Sequence, residues 1–305
     1  MIAPPYLKKG DTVAITCPAK KLPVPIDDAV RLLESWGLHV ILGETVYGSW
    51  NQFAGTDEQR AADFQKFLDD KSVKAIFAAR GGYGTIRIID DIDFSDFEHD
   101  PKWIIGFSDI TVLHSHIQAV FSVQSIHGQM PLSIPDGTKA SLETLRKALF
   151  NEDVEYNYES FSENRSGTAT GILTGGNLTL LVMMAGSVSE QSYKDKILFL
   201  EDVGEYFYSI DRMILNLKRA GILSGLRGFV IGGFTDLKDN DIPFGQTAEQ
   251  IIMSHVADYD YPVCFDFPAG HIEDNRALIF GREVKLTVDK QLVSLTYLND
   301  TAGNL

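Results

Sequence analysis

The chain has 305 residues, 44% of them hydrophobic and 23% charged, the balance of a globular protein of about two average domains. Its 42 acidic against 27 basic residues give a formal charge of −15, which argues against nucleic acid and anionic membrane as main partners, since both repel such a surface. Two cysteines, Cys17 and Cys264, exclude a disulfide scaffold and a cysteine-rich zinc module; they read as reduced buried thiols, with one bridge between them as the other option.

The N-terminus has its first lysines after Pro4 and Pro5 and no apolar stretch of the kind that follows them in a secretory signal. No apolar run is long enough to span a bilayer, so a soluble, cytoplasmic protein is expected.

In chain order, Thr12–Thr16 predicts a strand and Ile26–Trp36 a helix closed by Gly37. Leu38–Leu42 is a second strand, and Asp57–Asp69 a helix with Thr56 as N-cap. Val73–Ala79 and Trp103–Phe107 are further strands. A helix follows from Asp109 to Phe121, with Ile110, Leu113, Ile117, Val120 and Phe121 on one face. This alternation predicts βαβ units and a parallel sheet. From about 131 to 166 the pattern breaks into turns, a short helix and an acidic stretch, read as a crossing between domains. The second half mixes strands (Lys196–Leu200, Phe229–Gly232, Val284–Val288, Gln291–Tyr297) with helices near Leu178–Met184, Ile210–Ala220 and Thr247–Val256. The fold class is therefore α/β: an N-terminal parallel-sheet α/β domain over residues 1–135, a linker over 136–166, and a smaller C-terminal mixed α+β domain over 167–305.

Two turns that follow strands can carry chemistry. In Gly106-Phe-Ser-Asp-Ile-Thr111 a serine stands on a tight strand-to-helix turn, where its hydroxyl projects from the sheet edge and the next N–H can stabilise an oxyanion. The usual Gly-x-Ser-x-Gly pattern has a second glycine where this chain has Ile110, and Ser108 or Asp109 can equally be a helix cap. Arg80-Gly-Gly-Tyr-Gly84 directly follows a strand. Its N–H groups can cradle an anion, although it is neither a dinucleotide fingerprint nor a P-loop, and a plain tight turn is the alternative. A serine nucleophile needs a base. Of seven histidines, His114 and His116 lie on the following helix, His127 ends an apolar run, and His39, His99 and His255 have ordinary contexts. His271 stands in the loop Phe267-Pro-Ala-Gly-His-Ile-Glu-Asp-Asn275, and such loops carry function more often than helix faces do. Glu201, at the end of the strand Ile197–Leu200, is a structural cap or an orienter for the imidazole, with Asp202 and Glu205 competing. His114-Ser-His116 has poor spacing for a metal on a helix, so neither a metal nor another cofactor is expected.

Phe53-Ala-Gly-Thr-Asp57, Arg80-Gly-Gly-Tyr-Gly84, Gly106-Phe-Ser-Asp-Ile-Thr111, Gly175-Gly-Asn177, Leu200-Glu-Asp202 and Gly270-His-Ile-Glu-Asp-Asn275 together closely resemble the LD-carboxypeptidase family of serine peptidases. The resemblance runs in order along nearly the whole chain. It implies a catalytic triad of Ser108, Glu201 and His271, and an oxyanion hole from the backbone N–H groups of Asp109 and Gly82. It implies a site between the two domains and a homodimer. The implied substrate is a small peptide, a muropeptide tetrapeptide that loses its terminal D-Ala during cytoplasmic wall recycling. Arg80 is then the candidate for the substrate carboxylate, with Tyr83 and Asn177 as further binding candidates. Two segments depart from the family or carry no family feature: Arg276–Gly281 lacks the proline of many members, and Gly186–Lys196 shows nothing that ties it to a substrate. Microcin C immunity peptidases resemble the chain in the same motifs but cleave aminoacyl-nucleotide conjugates, for which Trp50 offers an aromatic face. A non-catalytic module that binds a small anion at Arg80–Gly84 is the reading of a different class.

Overall fold

The computed structural model describes residues 1–298. The first half builds five parallel strands: β1 (Thr12–Thr16), β2 (His39–Leu42), β3 (Val73–Ala78), β4 (Trp103–Gly106) and β5 (Ser125–His127). Their middle members are buried almost throughout, as strands covered by helices on both faces must be. The helices α1 (Asp27–Ser35), α2 (Asp57–Asp69) and α3 (Thr111–Phe121) connect them. Thr56 starts α2 by a reciprocal box: its hydroxyl accepts from Gln59 N at 3.3 Å and the Gln59 side chain accepts from Thr56 N at 2.9 Å.

The helix expected from Asp109 begins instead as a 3₁₀ turn over Ser108–Ile110 and becomes α-helical at Thr111. Its burial also differs from a one-faced helix. Thr111 to Gln118 are all buried, and Val120 is 48% exposed. The cause is that α3 lies between two layers, which leaves no solvent face over its first two turns.

The chain continues through α4 (Lys139–Leu149) and β6 (Glu155–Glu159), both inside the segment read as a crossing, into the eleven-residue strand β7 (Gly167–Asn177). Then come α5 (Leu178–Met183), β8 (Lys196–Val203), α6 (Phe207–Arg219), β9 (Gly228–Thr235), α7 (Ala248–His255), β10 (Val263–Cys264), β11 (Leu278–Phe280), β12 (Glu283–Val288) and β13 (Leu292–Tyr297). The second sheet has the order β10-β9-β8-β7-β12-β13-β6. It is parallel from β7 to β10 and antiparallel from β7 to β6, the mixed arrangement expected. It has seven strands against six in the first.

The sixth strand of the first sheet is β11, which returns from the second half to pair antiparallel with β5, Leu278 facing His127 and Phe280 facing Ser125. One apolar core holds Phe77 and Ile105 of the first sheet together with Phe199, Phe267 and Phe280. Each such buried ring stabilises the packing by about 3 kcal/mol. The second sheet is also pinned to α3 by a hydrogen bond, Asn177 N at the end of β7 donating to Thr111 Oγ1 at 3.0 Å. Cys17 and Cys264 are both buried and unpaired.

Candidate active site

Ser108 has φ +62°, a left-handed conformation that costs a non-glycine residue about 1–2 kcal/mol. The strand β4 ends at Gly106, and a Cβ there would stand 2.7 Å from Ile110 Cγ1. The close approach that a second glycine supplies in the usual elbow is thus achieved from the strand side, and Ile110 is accommodated because residue 106 has no side chain. The turn leads straight into α3, whose first N–H groups favour negative charge nearby.

His271 brings the elbow and the second sheet together. Its Nε2 lies 3.1 Å from Ser108 Oγ and its Nδ1 2.5 Å from Glu201 Oε2. Glu201 is completely buried and sits where the pairing of β8 with β9 shifts register between Leu200 and Asp202. Such an irregularity re-aims a side chain. The His271 loop reaches it only through Gly270: φ is +107°, and a Cβ there would fall 2.7 Å from Glu201 Cβ. Gly270 N donates to Asn275 Oδ1 at 2.8 Å and Thr235 Oγ1 donates to the His271 carbonyl at 3.1 Å, which fixes the loop from both sides. Phe107 packs against the imidazole with ring centres 5.0 Å apart. Burial alone disfavours the imidazolium, but Glu201, with Asp202 and Asp236 behind it, more than offsets this, so His271 titrates above the ordinary histidine range.

Of the two competitors for the acidic position, Glu205 has Thr179 Oγ1 at 3.5 Å and, among the described residues, no hydrogen bond to His271, and Asp202 is otherwise engaged. Asp202 accepts from Asn177 Nδ2, Thr179 N and Thr179 Oγ1, each at 2.9 Å, and burial pushes its carboxyl up. Asn177 also caps α5 by accepting from Leu180 N at 3.3 Å, so both ends of its amide are used internally.

The Arg80–Gly84 loop lies against the elbow. A Cβ on Gly81 would stand 3.0 Å from Ser108 Cβ and 3.3 Å from both Ser108 Oγ and Asp109 N. The Asp109 side chain faces inward and accepts from Thr85 N at 2.8 Å, which anchors the far end of the loop, and burial pushes its carboxyl up. Gly82 has φ +111°. Arg80 Nη1 donates to the Lys21 carbonyl at 2.7 Å. Tyr83 is 39% exposed, its ring 6.0 Å from that of Phe53. The buried Arg60 braces this region: it donates to Gly84 O at 2.9 Å, to Pro18 O, and to Asp57, which also receives Arg87.

The other histidines stay outside this constellation. His114 Nε2 meets Gly106 O at 2.9 Å, and burial pushes its pKa down to about 4. His116 Nδ1 meets Ser189 Oγ at 2.9 Å. His127 is fully buried in an aromatic cluster beside Phe107 and Phe199. Among the described residues no group of three or more His, Cys, Asp or Glu side chains is placed to hold a metal ion. Sequence reasoning passed over Thr111, Phe107 and Asp236. The first two stand inside the serine motif but carry only the signals of a helix and a strand position; Asp236 carries no local signal.

Residues 13–128 match the model of the LD-carboxypeptidase N-terminal domain and residues 170–286 that of the LD-carboxypeptidase C-terminal domain. The chain is 35% identical over 303 residues to the probable murein peptide carboxypeptidase of Bacillus subtilis (strain 168), covering 95% of this chain and 93% of that protein. The crystal structure of muramoyltetrapeptide carboxypeptidase from Oxalobacter formigenes superposes with TM-score 0.85 at 28% identity, covering 94% of this chain and 98% of that one. The microcin C7 self-immunity protein MccF, solved with glutamyl sulfamoyl guanosine, shares the fold with TM-score 0.85 at 20% identity, covering 95% and 97%. This chain therefore belongs to the LD-carboxypeptidase family and is a serine-type carboxypeptidase, a hydrolase.

Proposed function

We propose that this carboxypeptidase removes the terminal D-Ala from muropeptide tetrapeptides with Ser108, His271 and Glu201 as its catalytic triad. The observation that carries the reading is the unbroken chain of contacts from Ser108 Oγ through both nitrogens of His271 to the buried Glu201. Ser108 attacks the carbonyl of the bond before the terminal residue while His271 Nε2 takes its proton. Glu201 holds the imidazole with Nε2 unprotonated toward the serine and stabilises the cation that forms. The N–H groups of Asp109 and Gly82 receive the oxyanion, an effect worth roughly 3 kcal/mol per donor. His271 then protonates the leaving amine, D-Ala departs, and a water deprotonated by the same imidazole releases the shortened peptide from Ser108.

The names of relatives similar over nearly the whole chain, a murein peptide and a muramoyltetrapeptide carboxypeptidase, support the substrate class. The same reading extends to wall recycling in the cytoplasm by a homodimer. No helix of the described residues is long and apolar enough to cross a membrane.

A second substrate class, aminoacyl-nucleotide conjugates, draws on Trp50. It is 44% exposed and stacks on Phe53 with ring centres 6.0 Å apart, so one face is held and the other is open to a base. Membership of a peptidase family removes the ground for the non-catalytic module.

The test is a comparison of kcat/KM for three compounds: a D-Ala-terminated tetrapeptide, its L-Ala epimer and glutamyl sulfamoyl guanosine. Preference for the first carries the proposal. Preference for the third transfers it to the nucleotide conjugates, and equal turnover of the two epimers removes the stereochemical claim.

A further inference from the structure

A carboxypeptidase must recognise the free carboxylate of its substrate, three bonds beyond the carbonyl carbon under attack. A cation that recognises it has to stand within a few ångström of the reacting carbonyl, and the Arg80–Gly84 loop borders that point, in a protein whose formal charge is −15. The basic residues in, next to or in contact with that loop include Lys20, Lys21, Arg60, Arg80 and Arg87. Four of them are committed. Arg60 and Arg87 are both paired with Asp57, Lys21 Nζ donates to Ser49 Oγ at 3.2 Å, and Arg80 is turned to the Lys21 carbonyl.

Lys20 differs from all of these. Its stem crosses Gly82: a Cβ on that glycine would lie 2.5 Å from Lys20 Cδ, 2.9 Å from Cγ and 3.0 Å from Cε. The neighbouring residue of the same loop, Gly81, is the one packed against Ser108 and the Asp109 amide. Among the described residues the Lys20 ammonium makes no hydrogen bond or ion pair. Its backbone is nonetheless held. Lys20 forms an antiparallel bridge with Phe53, Lys21 N donates to Gln52 O at 3.1 Å, and Ala54 N donates to Ala19 O at 3.1 Å. A pinned backbone and a stem laid along Gly82 keep a free cation beside the loop that borders the nucleophile.

We propose that Lys20 binds the terminal carboxylate of the substrate and that Arg80 positions it by fixing the Lys21 carbonyl; this assignment rests on the peptidase reading above. A glycine at 82 then has two uses, a left-handed backbone and room for the lysine stem.

The test pairs a tetrapeptide bearing a free terminal carboxylate with the same peptide bearing a terminal amide. Wild type, Lys20→Met and Lys20→Arg are each assayed for kcat and KM on both. Methionine keeps an unbranched stem against Gly82 and removes only the charge. The expected wild-type preference for the acid is roughly 10- to 100-fold, the usual scale of a charge-assisted contact. It falls towards one in Lys20→Met, chiefly through a higher KM for the acid, and it is largely retained in Lys20→Arg. An unchanged preference in Lys20→Met overturns the assignment, and so does an equal loss on acid and amide, which marks a purely structural role. If wild type turns over neither peptide, the peptidase reading itself fails and the assignment goes with it.

Discussion

Replacing Glu201 with glutamine keeps the volume of a completely buried side chain and removes its charge. In wild type the carboxylate 2.5 Å from His271 Nδ1 is the main influence that outweighs burial and raises the imidazole pKa. Breaking a buried pair by removing one partner costs about 3–5 kcal/mol. If that cost falls on the imidazolium that forms during attack, kcat/KM drops by roughly 10²–10⁴-fold, at about 1.4 kcal/mol per decade. The pH dependence supplies the sharper readout. The acid limb of kcat/KM reports protonation of His271 in free enzyme. That limb lies above the ordinary histidine range in wild type, and it must move to lower pH in Glu201→Gln, because burial remains while the anion is gone. The amide can present either its oxygen or its NH₂ to Nδ1, and both orientations shift the limb downward. The assay is a pH series of initial rates on the tetrapeptide, with circular dichroism to show that the variant is folded. A loss below tenfold, or an acid limb that stays put or rises, would refute the role given to Glu201.

Gly81→Ala places a methyl 3.0 Å from Ser108 Cβ and 3.3 Å from Ser108 Oγ and Asp109 N, without requiring a left-handed backbone. It should lower kcat by up to roughly 10²–10³-fold, the scale of losing one oxyanion donor, while the variant still unfolds cooperatively in a thermal melt. His114 is held neutral in the core with its pKa pushed down to about 4. A depressed histidine contributes stability that is present above the unfolded value near 6.5 and is lost as the pH falls through about 4, roughly 3 kcal/mol across that window. Urea denaturation of His114→Gln, which keeps a donor for the Gly106 carbonyl, should show a correspondingly flatter loss of stability between pH 6.5 and 4. An unchanged slope would mean that other groups carry the acid transition.

Much of this molecule could be read from its residues, and the exceptions have physical causes. The strand β1 and the helix α2 stand out because their apolar spacing and cap chemistry agree with the final environment. The eleven residues of β7 do not, since four glycines and three threonines hide a strand whose stability comes from its neighbours on both sides. Strand β11 is three residues long and crosses back to the first sheet, so no local pattern announces it. Ser108 and His271 were visible as candidates because each sits in a loop that glycine shapes. Glu201 could be preferred over Asp202 only by resemblance. The separation of the two depends on a register shift between β8 and β9, which no linear pattern encodes. Lys20 was invisible for a similar reason: its placement depends on crossing a glycine 62 residues further along the chain.

The central claim is that Ser108, activated by His271, cleaves the bond before a terminal D-Ala. The most direct measurement incubates L-Ala-γ-D-Glu-diaminopimelyl-D-Ala with wild type and with folded Ser108→Ala, and quantifies free D-Ala by mass spectrometry. The account predicts stoichiometric release of D-Ala and tripeptide by wild type and a loss of at least 10³-fold in the variant, the usual scale for removing a triad nucleophile. Wild-type rates in Ser108→Ala, or no release by wild type, would contradict it.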